Sequence, residues 1–282
     1  MWDAPATRAS HLLPFNTSPI SYASPVLILS LPASSGVAWL RDGWRLIKRQ
    51  PIGLAAMVVI YTFVLFIPVS IPLPYLGAAL LCLISPFATL GVMAAFRAVA
   101  AGKVPTPGVF IQPLQNVAVR RVLFRLGLIH AGLMIVVIVV VRLINGPIPL
   151  TAEDEPLTVE SLRLANFAVF TLVYSPVLVA MWFAPLLAGW HGLGPGKAMF
   201  GSAVACWRNK GALLVYGLLV GCVMLAVGFV AMLGGIVSAQ LLPLLSAPLG
   251  LAVATLIQAS FYPMYRSIFA EPGPAAVAVA VS

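Results

Sequence analysis

The sequence predicts an all-α, polytopic membrane protein with six transmembrane helices and amphipathic interfacial helices on the cytosolic side. Three observations carry the prediction. The 282 residues are 61% hydrophobic and 8% charged, with a mean hydropathy of +1.06, whereas a soluble domain carries roughly 25% charged residues. Ile52–Phe96, Leu164–Trp190 and Gly211–Tyr265 contain no charged residue at all. The Lys and Arg residues cluster at the ends of these stretches, so the net charge of +9 reads as a topology signal and not as a nucleic-acid footprint.

Residues 1–33 have scattered prolines and serines, no steady helical period and no secretory-leader pattern. A disordered extension is expected there. No methionine occurs between Met1 and Met57, and Val26, Leu27 and Leu29 could each derive from an alternative start codon. Residues before about Val26 are expected to pack against nothing, and to be untranslated if such a codon is used.

Residues 34–50 read as an interfacial helix, clearest from Gly36 to Arg49. At about 100° per residue, Trp39, Leu40, Trp44, Leu46 and Ile47 share one half, and Arg41, Arg45, Lys48 and Arg49 the other. Tryptophan opposite Arg and Lys is the pattern of a helix lying in the membrane surface. Docking on the cytosolic face of the bundle is the alternative.

The transmembrane domain is expected over 51–270. Forty-odd uncharged residues are too many for one span of about 20 and suit two, near 52–68 and 75–96. Prolines from Pro68 to Pro74 break the helix between them. Arg97, Lys103, Arg120, Arg121 and Arg125 mark a basic connection, with a short surface helix over Pro113–Arg121 and a third span near 122–142. Residues 143–163 hold Glu153, Asp154, Glu155 and Glu160. The fourth span, near 164–190, contains Pro176 and Pro185 and should kink. A second amphipathic helix follows over Gly196–Arg208, with Met199, Phe200, Ala203 and Trp207 on one face beside Lys197 and Arg208. Spans five and six fall near 211–237 and 244–265, and 271–282 reads as a disordered tail.

With six spans, every basic cluster falls on one side, the cytoplasm, and so do both termini. Only Arg142 and Arg163 fall opposite, with the acidic loop. A surface helix followed by two spans recurs over Gly36–Phe96, Pro113–Trp190 and Gly196–Tyr265, which suggests a triplicated unit. Trp44-Arg45 and Trp207-Arg208 stand at like positions in it, as do Ser85-Pro86 and Ser175-Pro176.

Chemistry is sparse. No Asp or Glu lies in any of the six spans, the three histidines are far apart, and nucleophile-elbow and phosphate-loop motifs are absent. Cys82, Cys206 and Cys222 lack metal-ligand spacing. No catalytic residue, cofactor or metal site is expected, and the chain is not expected to be an enzyme. His130, Asn166 and Gln258 are the candidate polar residues of the bundle, as interhelical contacts or as the lining of a path. Trp182, Trp190 and His191 close the fourth span, as an aromatic belt or as a ligand-contacting cluster. Gly217, Gly221 and Gly228 form a small-residue groove, which fits another span or a second copy of the chain in a homo-oligomer. The bilayer and its anionic lipids are the expected partners, with Trp39, Arg41, Trp44, Arg45, Lys48, Arg49, Lys197, Trp207 and Arg208 as candidate contacts. No nucleic acid is expected.

PASSGVAWLRDGWRLIKRQP (Pro32–Pro51) and WFAPLLAGWHGLGPGKAMFGSAVACWRNKGALLVYG (Trp182–Gly217) resemble a family of uncharacterised multi-pass inner-membrane proteins of Burkholderia and related beta-proteobacteria. The resemblance spans about Leu31 to Phe269. It implies a bacterial inner membrane and a chain beginning shortly before the PASSG segment, and it supplies no activity and no site residue. Residues 1 to about 25 depart from the pattern. Two functions remain: a non-enzymatic lipid-interacting, assembly or envelope-support component, or a small-molecule or lipid permease without a mid-membrane carboxylate. A polar mid-membrane cavity lined by His130, Asn166 or Gln258 would mark the permease, and a bundle packed solid through its middle the support role.

Overall fold

Pro51 divides an amphipathic helix from an apolar one, and the chain turns there. In the computed structural model, which describes residues 27–71, 74–145 and 156–270, helix α1 spans Ser35–Arg49 and α2 spans Pro51–Val69. Gln50 between them leaves the helical region at φ −148°, as the residue before a proline tends to do. The 19 residues of α2 extend about 28 Å, close to the hydrocarbon thickness of about 30 Å. Helix α3 (Pro74–Ala100) returns. A short α4 (Pro107–Ile111) and a 3₁₀ turn (Gln112–Gln115) lead to α5 (Val117–Asn145). Then come α6 (Pro156–Met181), α7 (Ala184–His191), α8 (Pro195–Arg208), α9 (Lys210–Val237) and α10 (Leu241–Ile268). Among the described residues, six stretches are long and apolar enough to cross a membrane: α2, α3, α5, α6 with α7, α9 and α10. The chain is an all-α polytopic membrane protein.

The packing repeats in order. Helix α1 docks on α10, α4 on α3, and α8 on α6 and α7. In each case a short helix lies against the second span of the unit before it, the first unit closing on the last. This cyclic order is the arrangement a triplicated unit would give. Helix α3 is the most enclosed span and α9 the least. The tight α3–α5 pair meets at Gly127, where a Cβ would lie 2.5 Å from the Leu83 carbonyl oxygen.

Several expectations need correction. The extension expected to be disordered through residue 33 is ordered from residue 27. Strand β1 (Leu27–Ile28) pairs antiparallel with β2 (Phe269–Ala270). Just beyond it, buried Asn209 holds the chain, its Oδ1 accepting from the Leu31 N–H and its Nδ2 donating to the Leu29 carbonyl, both at 2.9 Å. Residues 1–26 and 271–282, and the acidic residues Glu153, Asp154 and Glu155, lie outside the described residues. The surface helix expected over Pro113–Arg121 instead covers 107–115. Asn116 ends it in an extended conformation, and its side chain accepts from the Ala118 N–H at 2.9 Å, so it caps α5. Arg120, Arg121 and Arg125 therefore ride on the first turns of α5.

Trp39 is the third correction. It is 2% exposed, its Nε1 donates to the Ser267 hydroxyl at 2.8 Å, and its ring meets Tyr216 edge-on at 6.1 Å. It holds α1 to α9 and α10 and does not face lipid. Gly43 sits beside it, where a Cβ would come within 2.7 Å of the Ser260 backbone. A helical wheel cannot make this distinction, because an apolar face reads the same against lipid as against protein. The other candidate contacts, Arg41, Trp44, Arg45, Lys48, Arg49, Lys197, Trp207 and Arg208, are exposed, with Trp44 at 54% and Trp207 at 73%.

The expected kink of the fourth span is a full break at Trp182–Phe183, with Pro185 in the first turn of α7. The Phe183 N–H would ordinarily bond to the Val179 carbonyl. Here the Ser202 hydroxyl of α8 stands between them, accepting from Phe183 N–H at 2.9 Å and donating to Val179 O at 2.8 Å. A side chain inserted into the ladder is an established cause of such breaks. The small face of α8 (Ala198, Ser202, Ala205, Cys206) is buried, while Phe200 and Trp207 point outward.

Candidate functional site

Polar side chains inside an apolar bundle must find one another or water, because hydrocarbon offers no hydrogen bond. The bundle gathers them in one place. A cavity of about 300 Å³ is lined from all six spans: Tyr61 of α2, Ser85 and Thr89 of α3, His130 of α5, Tyr174 of α6, Tyr216 of α9 and Gln258 of α10, with Trp182 at the break. Of the three polar residues singled out in the sequence, His130 and Gln258 both line it. Asn166 belongs to α6, but its side chain lies outside what is described.

The cavity sits near mid-depth. Tyr61 is ten residues beyond Pro51, about 15 Å along a helix. Ser85 is twelve residues before Arg97, about 18 Å. Gln258 is eight residues before Arg266, about 12 Å. These depths bracket the middle of an apolar layer about 30 Å thick.

Hydrogen bonds fix the lining on one side. His130 is buried, with Nδ1 at 3.3 Å from the Ser85 hydroxyl and Nε2 at 3.2 Å from the Tyr174 hydroxyl. Ser85 donates its single proton to the Cys82 carbonyl at 3.1 Å, so it accepts from His130. That sets the neutral tautomer with the hydrogen on Nδ1, leaving Nε2 to accept from Tyr174. The Tyr174 ring stacks on Phe170 with centroids 5.5 Å apart. Tyr61, Thr89 and Gln258 stand together in the lining, and the Tyr216 hydroxyl bonds to Ser260 at 2.8 Å.

Trp182 is the exception. Its Nε1 is buried and has no hydrogen-bond partner, while its ring packs edge-on to Phe261 at 5.9 Å. An indole N–H can only donate, and leaving it unpaired costs about 1–3 kcal/mol. Trp182 as a residue lines the same cavity as His130 and Gln258, with its Nε1 enclosed by neighbouring atoms. None of the lining groups is acidic or basic apart from the imidazole, so the cavity offers hydrogen bonds without countercharge.

Sequence reasoning missed Tyr61, Ser85, Thr89, Tyr174 and Tyr216. A usable signal was there: tyrosine in spans prefers the interfaces, and Tyr61 and Tyr174 both lie deep in theirs. Trp190 and His191 face away from this cavity, into a separate cleft at the end of the bundle. A Cβ on Gly217, Gly221 or Gly228 would meet nothing within 4 Å, so among the described residues no other span packs on that face of α9, and of the two expected occupants the second copy is the one left open.

No family model matches the chain, and no solved structure matches it. Among curated proteins it is similar to a probable inner membrane protein of Burkholderia thailandensis, with 33% identity over 260 residues, covering 87% of this chain and 96% of the relative.

Proposed function

The chain belongs to the family of that Burkholderia inner-membrane protein, and we propose that it is a non-enzymatic permease for a small uncharged polar molecule, held midway across the membrane. The observation that carries the reading is the cavity lined with polar side chains from all six spans. A support role would be served by a solid interior, and drawing eight polar or amphipathic side chains, two of them buried and six half-buried, around a hollow works against stability. A ligand bearing oxygen atoms could exchange hydrogen bonds with Gln258 and Thr89, which line the space. A bare ion would find no countercharge there, so the preferred class is neutral, bearing hydroxyl or carbonyl groups.

Orientation is part of the proposal, with both termini in the cytoplasm. The ends of α1, α3, α7 and α10 meet at one end of the bundle, where Arg49 donates to the Ala100 carbonyl and Arg97 lies over Trp190. The basic residues of the described chain concentrate at this end, which favours the cytosolic side. Reporter fusions at Lys103, Lys197 and the C-terminus should read cytoplasmic, and those at Asp154 and Gln240 periplasmic. A cytoplasmic signal at Asp154 would overturn the orientation.

The transport reading is tested in proteoliposomes holding the full chain, by light scattering after an osmotic step in glycerol, erythritol or urea. At least one of these should equilibrate faster than in protein-free liposomes, and Ser85→Leu or Thr89→Leu, which fill the cavity, should remove the gain. Equal rates with and without protein for every probe would contradict it.

A further inference from the structure

A second polar hollow lies where the spans end. Arg97 stands in the last turn of α3 and Arg266 in the last turn of α10. With Trp190 and His191 of α7 and Tyr265 of α10 they surround a cleft of about 530 Å³. It shares no lining residue with the mid-membrane cavity. Its aromatic wall is well braced. Trp190 packs edge-on to Tyr265 at 5.1 Å, and His191 Nε2 is hydrogen-bonded to the Tyr265 hydroxyl.

The two guanidiniums are the unusual feature. Arg97 lies 5.2 Å from the centre of the Trp190 ring, which holds it over the cleft by a cation–π contact. Both arginines are exposed. Among the described residues, the ion pairs are those of Asp42 with Arg41 and Arg45, and neither Arg97 nor Arg266 takes part in one. Two guanidinium charges without an ion-pair partner among the described residues face one hollow, and they repel each other unless an anion joins them. A guanidinium presents a planar fork of donors that matches phosphate oxygens. The height in the membrane agrees, because aromatic residues and arginines at span ends mark the headgroup level.

We propose that this cleft binds a phosphoryl group between Arg97 and Arg266, carried either by an anionic phospholipid headgroup or by a soluble phosphate ester. The assignment is independent of the transport reading and stands or falls separately.

The test titrates the full chain in a neutral detergent with three probes: dihexanoyl phosphatidylglycerol, dihexanoyl phosphatidylcholine and glycerol 1-phosphate. Tryptophan fluorescence follows binding, since Trp190 lies in the cleft. Phosphatidylglycerol should bind saturably, and Arg97→Gln/Arg266→Gln should raise its Kd roughly tenfold or more. Arg266→Gln alone, at an exposed position, provides a variant that keeps its fold and should show part of the loss. Arg120→Gln/Arg121→Gln on α5, exposed and outside the cleft, should bind as the wild type does. Binding of glycerol 1-phosphate with the same arginine dependence would support the site and assign it to a soluble ester. Three results would overturn the proposal: no saturable binding of either anionic probe, an unchanged Kd in the arginine variants, or phosphatidylcholine binding as tightly as phosphatidylglycerol.

Discussion

Ser202 shows how one hydroxyl can decide the course of a span. It takes the Phe183 N–H and supplies the Val179 carbonyl at the break between α6 and α7, and it is fully buried. The break in turn aims Trp182 at the cavity. Ser202→Ala would leave a buried donor and a buried acceptor unpaired, at about 1–3 kcal/mol for each. We therefore expect the variant to lose about 2–6 kcal/mol of unfolding free energy in micelles. The control is Ser246→Ala, because Ser246 is exposed and bonds only to its own turn at Pro243. Equal stability of the two variants would show that the break is held by something other than the Ser202 bridge.

Among the elements, α1 and α9 are opposites. Helix α1 has a polar face and a strongly apolar one, yet much of the apolar face is covered by protein: Gly36, Trp39, Gly43 and Leu46 are buried. Helix α9 is apolar all round and buries only Ala212, Tyr216 and Ala231 among its residues. Its glycines make a testable contrast with Gly127. Gly127→Ala must push the Leu83 backbone away and should destabilise by about 1–3 kcal/mol. Gly217→Ala and Gly221→Ala meet open space and gain helix propensity, so each should be neutral or stabilising by up to about 1 kcal/mol. Denaturant titration of the purified chain reads both. A loss at Gly217 as large as that at Gly127 would mean that a second copy already fills the groove.

At the scale of the whole molecule, the spans were legible because length and apolarity are local properties. Charge-free runs such as Ile52–Phe96 left no other reading, and the basic clusters divided them. His130 and Gln258 were legible as polar exceptions in apolar helices. Their meeting around one hollow was not, since it depends on how six helices turn relative to one another. Tyr61 and Tyr174 were hidden by their chemistry: an aromatic ring with a polar tip is at home in a membrane span whether or not it lines a path. Asn209 shows the same limit, as nothing in its neighbourhood announces that it will clasp Leu29 and Leu31. Local sequence reports what each segment can bury, and packing decides which of its polar groups end up facing each other.

The central claim is that the mid-membrane cavity is part of a path across the membrane, and side-specific cysteine labelling tests it most directly. Cys82, Cys206 and Cys222 would be replaced by alanine and Ser85 by cysteine in the full chain. Inside-out and right-side-out membrane vesicles would then receive a small, charged, membrane-impermeant thiol reagent. The permease account predicts that Ser85→Cys is modified in both preparations, and that a bulky Thr89→Leu in the same cavity slows both reactions. Protection of the cysteine from both sides would contradict the account and leave the hollow as a sealed packing defect.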